Sequence, residues 1–231
     1  FSDAFNSGNK ELLLYAEANS GLISYQDVTL QPAKAEEDTT GRTPVTFPRN
    51  ADWNTANVQP DNTKSYEIGY DLDLPQIVSC TTPNTWADNY AMVIRDPVND
   101  AYFKQELQGF CTGGGKYQVA VSAQYWTGSA WSERPFLWSS ESETPISKLH
   151  VVLNYNAENG TYAWTVTDRD SGATVNEGAL SVEMPAVLRA CTACELKTVE
   201  YDKDNAPVAN APTNAYIKYE NGGEEPVEEY D

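Results

Sequence analysis

The sequence predicts an all-β protein, an antiparallel sandwich of two packed sheets or a jelly roll, with at most one short helix and a long Pro-rich surface loop. Three observations carry this. Most ordered segments are short and rich in β-branched and aromatic residues, as strands are. Turn signals separate nearly all of them, without the alternating helices that a parallel α/β sheet needs. Finally, 231 residues with 40% hydrophobic side chains suffice for one full core without disulfide or metal staples.

Taken in order, residues 10–18 could form the one short helix, although their apolar side chains cluster at Leu12, Leu13 and Leu14 rather than spreading over several turns. Residues 22–30 read as a strand. Between residues 31 and 64 the periodicity fades among Pro32, Pro44, Pro48 and Pro60, which predicts a long surface excursion. Strands follow at 66–74, 90–95 and 117–126. The clearest unit spans 149–167. Leu149, Val151, Leu153 and Tyr155 point one way because successive strand side chains alternate faces, and Tyr162, Trp164 and Val166 repeat the pattern after Asn159-Gly160. A turn at Asp168–Gly172 then leads to a third strand through Val175, making a meander. Strands at 195–201 and 214–219 complete the set. At least eight strands are most economically arranged as two packed sheets. A single domain is expected over 1–219. The stretch 220–231, with six acids and no base, is expected to be a disordered tail.

Thirty-four Asp and Glu against fifteen Lys and Arg give a formal charge of −19. Such a field repels phosphate backbones, acidic lipid surfaces and polyuronates, so neither nucleic acid nor membrane is an expected partner. No apolar run approaches the roughly 20 residues of a membrane-spanning helix. One histidine, two methionines, few bases and abundant Thr, Asn, Tyr and Trp are a balance common in secreted proteins that work in acid. Residue 1 is Phe with no basic-plus-apolar leader, as expected after removal of a signal peptide. Asn159-Gly160-Thr161 is the sole N-glycosylation sequon and falls at the expected hairpin tip.

Cys80, Cys111, Cys191 and Cys194 allow three pairings, of which Cys80 with Cys111 and Cys191 with Cys194 is favoured. Structural disulfides in an oxidising compartment are expected rather than a zinc site, since there is no second CxxC and His150 is remote in sequence. No organic cofactor is expected. Acidic turns at Asp71/Asp73, Asp96/Asp100, Asp168/Asp170 and Asp202/Asp204 could hold a structural calcium, although none fits the twelve-residue EF-hand loop.

The sequence contains no GxSxG elbow, P-loop or HExxH motif. His150 alternates away from Leu149 and Val151 and so faces solvent or a groove. Paired carboxylates for glycoside cleavage cannot be assigned, because no E-x-D-x-x-E strand motif places them. Tyr125, Trp126 and Trp131, with Phe136 and Trp138, are the aromatic concentration of the chain. Flat rings of this kind can form sugar-stacking platforms or a peptide groove. Tyr125 and Trp126 are adjacent on a strand, so one faces inward and the other toward the groove.

Five blocks between residues 90 and 222 occur in the order found in the fungal glutamic peptidases, or eqolisins, which the chain distantly resembles. Met92-Val-Ile-Arg-Asp-Pro-Val-Asn-Asp100 is similar to the strand before that family's catalytic glutamine, and Leu107-Gln-Gly-Phe110 to the glutamine block. The segment from Tyr117 to Ala123-Gln-Tyr-Trp126 resembles its aromatic strand, and residues 149–180 its central meander. Residues 191–200, followed by Asn214-Ala-Tyr-Ile-Lys-Tyr219, resemble the glutamate strand and its neighbour. The resemblance implies a concanavalin A-like sandwich and a secreted acid endopeptidase. Gln108, or Gln105 in a rival register, would position water, and Glu195, or Glu200, would take its proton. Two departures stand out: Leu196 follows Glu195 where the family has Trp, and Gln124 occupies an acidic position. The alternative from the same residues is a carbohydrate-binding or glycan-cleaving module that uses the Trp/Tyr groove. The substrate would accordingly be a polypeptide or a polysaccharide.

Overall fold

The computed structural model describes residues 41–220. They fall in the second of two units into which the chain divides, Phe1–Thr40 and Gly41–Asp231. The helix expected at 10–18, the strand expected at 22–30 and the acidic tail beyond Glu220 lie outside the described residues.

Among the described residues, alternation of apolar side chains produces thirteen strands in two antiparallel sheets, the sandwich that the sequence predicts. The back sheet runs β1 (Thr43–Pro44), β13 (Thr213–Tyr219), β3 (Tyr66–Asp73), β8 (Lys148–Asn156), β9 (Thr161–Asp168) and β10 (Thr174–Ala179). The front sheet runs β12 (Pro207–Val208), β11 (Glu195–Asp202), β4 (Thr85–Asp96), β5 (Ala101–Cys111), β6 (Tyr117–Trp126) and β7 (Phe136–Trp138). β2 (Asn54–Thr55) also pairs with β11. Among the described residues the helical pieces are a 3-10 turn at Ile77–Ser79 and α1 at Ala186–Arg189.

The expected β8–β9 hairpin forms in the register that puts Val151 opposite Val166 and Tyr155 opposite Tyr162. Its tip turns at Gly160, whose φ of 68° lies in the left-handed region that glycine adopts without steric cost. The inward rows of both sheets interdigitate. Phe103 of β5 stacks on Tyr162 of β9 with ring centroids 3.9 Å apart, and Tyr70 of β3 meets Tyr90 of β4. Each such buried ring contributes on the order of 2–3 kcal/mol by leaving water.

Three expectations are corrected. Residues 41–64 are not simply a surface excursion: β1 and β2 close the edges of the two sheets, and Val45, Asn54 and Asn62 are buried. Strands of only two residues, with Pro44 in β1, blunt edges that would otherwise be open to pairing. β4 begins at Thr85 rather than at residue 90. A central strand, β5, lies where none was expected. Its inward row of Ala101, Phe103, Gln105, Leu107 and Gly109 carries a polar residue and a glycine that break the apolar signal.

Candidate functional site

Antiparallel register places the outward side chains of the front sheet in cross-strand rungs. One rung holds Trp126, Tyr102, Arg95 and Glu195, and the next holds Gln124, Lys104, Val93 and Lys197. Then come Phe136, Ser122, Glu106, Ala91 and Val199, followed by Trp138, Ala120, Gln108, Asn89 and Tyr201. Phe110 and Trp86 end the series.

This face has two aromatic banks and a recessed polar floor. In the first bank Trp86 stacks on Trp138 at 5.2 Å and 27°, against Phe110 at 4.6 Å and Phe136 at 5.6 Å. In the second, Trp131 meets Trp126 at 5.2 Å and Tyr102 at 5.4 Å. Trp86, Trp131 and Trp138 are all exposed. Tyr102 and Phe110 are eight residues apart on β5, so the two banks together span roughly 27 Å at the strand rise per residue, with Phe136 on the Glu106 rung bringing the first bank to within roughly 13 Å of the second along the strands.

Between the banks, Glu106 is the hub. Arg134 Nη2 lies 2.6 Å from its Oε2 and Lys104 Nζ 2.9 Å from its Oε1, while Ser122 Oγ receives Arg134 Nε at 2.8 Å. Beside this hub Gln108 is nine-tenths buried, and neither its Oε1 nor the Oδ1 of Asn89, opposite it on β4, has a hydrogen-bond partner among the described residues. Orphaned buried acceptors are uncommon and call for an account. At the second bank a pocket of about 260 Å³ opens over Val93, walled by Trp53, Tyr102 and Trp131 and by the cations Arg95, Lys104 and Lys197. Hydrogen bonds from Arg95 to Asp100 and then to Glu195 raise the pKa of its guanidinium above its already high ordinary value.

The residues expected from the sequence separate on this frame. Gln108, Glu195, Trp126 and Trp131 all belong to the outer face of the front sheet. Gln108 and Glu195 are not brought together: Gln108 pairs with Asn89 and Glu195 with Arg95, six residues along β4, which is roughly 20 Å. Glu200, the other candidate glutamate, points into the sandwich and has no solvent exposure. Gln105 likewise faces inward, within reach of the Tyr70 hydroxyl at 3.4 Å. Tyr125, expected to touch substrate, lies wholly inside and donates its hydroxyl to Gly160 O at 3.1 Å. Alternation requires this, because Trp126 next to it takes the outer side.

His150 sits on the outer surface of the back sheet, where its Nδ1 is 2.8 Å from Asp71 Oδ1. Three of the acidic turns use carboxylates to order their own backbone. Asp96 accepts from Val98 and Asn99, Asp168 from Asp170 and Ser171, and Asp202 from Asp204 and Ala206. Among the described residues no three His, Cys, Asp or Glu side chains converge closely enough to hold a metal.

Sequence reasoning missed Lys104, Glu106, Arg134, Trp86 and Phe110. The available signal was the outward alternation Tyr102, Lys104, Glu106, Gln108 and Phe110, which becomes readable once β5 is recognised as a strand.

No protein-family model matches the chain, and no curated protein matches it in sequence. Several solved structures share features of the fold. The SAP-like pentraxin from Limulus polyphemus is 10% identical with a TM-score of 0.42, over 77% of this chain and 77% of the pentraxin. A legume lectin-like domain from Entamoeba histolytica is 6% identical with a TM-score of 0.40, over 78% of this chain and 81% of that domain. The enzymatically active domain of bacteriophage CBA120 tailspike protein 2 is 10% identical with a TM-score of 0.42, over 75% of this chain. The match spans 25% of the tailspike domain's length.

Proposed function

We propose that this chain is a carbohydrate-binding module that lays an oligosaccharide along the outer face of the front sheet. The observation that carries the reading is the pair of aromatic banks with exposed rings, Trp86 with Trp138 and Trp131 with Trp126, set about the polar floor of Lys104, Glu106 and Arg134. Sugars present both complements: C–H faces that stack on flat rings, and hydroxyls that donate to amide and carboxylate oxygens. The length that the banks span suits an oligosaccharide rather than a single sugar. An extracellular setting belongs to the same proposal, supported by the exposed sequon at the β8–β9 tip. A water-activating Gln108/Glu195 pair receives no such support from their separation.

Glycan-array binding followed by titration calorimetry tests the reading. Trp131→Ala and Trp138→Ala are each expected to weaken binding about tenfold, the loss usual for an anchoring ring. Tyr125→Phe, which alters only an interior hydroxyl, leaves affinity unchanged. Absence of binding across the array would sink the reading. Casein cleavage near pH 3 that disappears in Gln108→Ala would replace it with the hydrolase alternative.

A further inference from the structure

The pocket over Val93 is unlike the rest of this strongly acidic molecule. Lys104 and Lys197 flank Val93 on one rung, and Arg95 lies on the adjoining rung. No carboxylate lines the cavity. The acids that pair with these cations, Asp100, Glu195 and Glu106, approach them from outside it. Lys104 also lies 5.2 Å from the Trp131 ring centroid, which fixes its ammonium beside an exposed flat face.

A site lined in this way offers donors and few acceptors. Each ammonium has three N–H groups and no lone pair, and the Tyr102 hydroxyl is the one lining side-chain oxygen. A neutral sugar brings hydroxyl protons that need acceptors and would find few. A sugar carrying an anionic group brings an acceptor to the cavity side of cations whose carboxylate partners all lie outside the cavity. The net charge of −19 argues against such a ligand only at a distance. At about 0.15 M salt the screening length is near 8 Å, so carboxylates farther off act weakly at the pocket, while Asp100, Glu195 and Glu106 lie inside that length, offset part of the cations' charge and leave direct contact to decide.

We propose that this pocket receives an anionic sugar ring of an acidic glycan, its ring against Trp131 and its charged group between Lys104 and Lys197. The inference rests on the carbohydrate-binding reading above and narrows it to a ligand class. The anionic group is a carboxylate, as in a uronic acid, or a sulfate ester, and the two share the chemistry that matters here.

The test is titration of the whole chain with three matched probes: an α-1,4-linked galacturonate trimer, its carboxyl-reduced neutral counterpart, and that neutral trimer after sulfation. At about 0.15 M salt the wild type is expected to bind at least one anionic trimer about tenfold more tightly than the neutral one, the size of one desolvated charge contact. The tighter of the two identifies the group. In a Lys104→Gln/Lys197→Gln double variant the preference is expected to fall to near parity, and an unchanged thermal melt and circular dichroism spectrum report an intact fold independently of binding. Equal binding of all three trimers by the wild type overturns this inference and leaves carbohydrate binding standing. A preference that survives the double variant overturns the pocket assignment. Failure to bind any trimer, together with an empty glycan array, removes both.

Discussion

Glu200 and Asp88 are diagonal neighbours across the β11–β4 ladder, and both carboxyls are sealed from solvent inside the sandwich. Their surroundings differ. Asp88 accepts the backbone N–H groups of Gln76 at 2.9 Å and Ile77 at 2.7 Å, tying the 3-10 turn to β4. Glu200 receives only the Asn210 amide, and its Oε1 has no partner among the described residues. Burial raises the pKa of both, and the Asp88 charge helps to push Glu200 up to about 8. Asp88, with two amide donors, carries the negative charge, and Glu200 keeps its proton.

This arrangement makes stability depend on pH in a definite direction. A carboxyl at 4.5 in the unfolded chain and about 8 in the fold binds its proton more tightly when folded. Its contribution is complete below about pH 4.5 and is lost as pH rises toward 8, where an ionised Glu200 costs on the order of a few kcal/mol. Glu200→Gln, which keeps the shape without the titration, should match the wild type near pH 4 and exceed it by that amount near pH 8. Thermal melts across this range measure the difference, and the self-repulsion of the other acids largely cancels between the two proteins. Parallel stability curves would refute the assignment.

The four cysteines lie in two adjacent pairs, all free thiols in this structure. Cys111 Sγ is 3.5 Å from Cys80 O, and Cys194 Sγ is 3.7 Å from Cys191 O. Burial is the first cause raising the pKa of both Cys111 and Cys194, so these buried thiols are slow to ionise and the better exposed Cys80 and Cys191 are the ones expected to start exchange. Oxidative refolding is expected to join Cys80 to Cys111 and Cys191 to Cys194. Peptide mapping under non-reducing conditions reads the pairing, and a Cys80–Cys191 link would contradict it. Because the Cys80–Cys111 link closes a loop of about 30 residues, the chain-entropy estimate gives it about 3–4 kcal/mol, measurable as a shift of the urea midpoint on reduction.

How much of this was readable beforehand differs from strand to strand. β8 and β9 were legible because every inward position is apolar and an Asn-Gly tip joins them. β5 was not, since Gln105 and Gly109 occupy inward positions whose fit depends on neighbours elsewhere in the chain. Gln105 meets Tyr70 across the sandwich, and Gly109 leaves room for Ile77 and the Asp88 carboxylate. The candidate site was harder still. Trp126 and Trp131 stood out as local aromatic density, but the rung joining Lys104 to Val93 and Lys197 draws on three strands. Their shared register is a property of pairing that no single strand encodes. The same dependence separated Gln108 from Glu195, whose distance is set by β4 between them.

Gly69 and Tyr216 face each other on β3 and β13, and the Tyr216 ring lies across the glycine on the outer surface of the back sheet. A Cβ at Gly69 would come within 2.3 Å of the ring. The ring has little freedom to retreat, because its hydroxyl donates to Glu67 Oε1 at 2.6 Å and the Arg42 guanidinium covers it at 4.0 Å. Gly69→Ala should therefore destabilise the fold by about 1–3 kcal/mol, the usual range for overpacking. In a Tyr216→Ala background the clash is gone, and the same change should cost nothing or stabilise by about 0.5–1 kcal/mol, because alanine loses less backbone freedom than glycine in a strand. Urea unfolding of the four proteins in this double-mutant cycle gives the coupling directly. An equal cost for Gly69→Ala in both backgrounds would mean that the ring does not set the requirement for glycine.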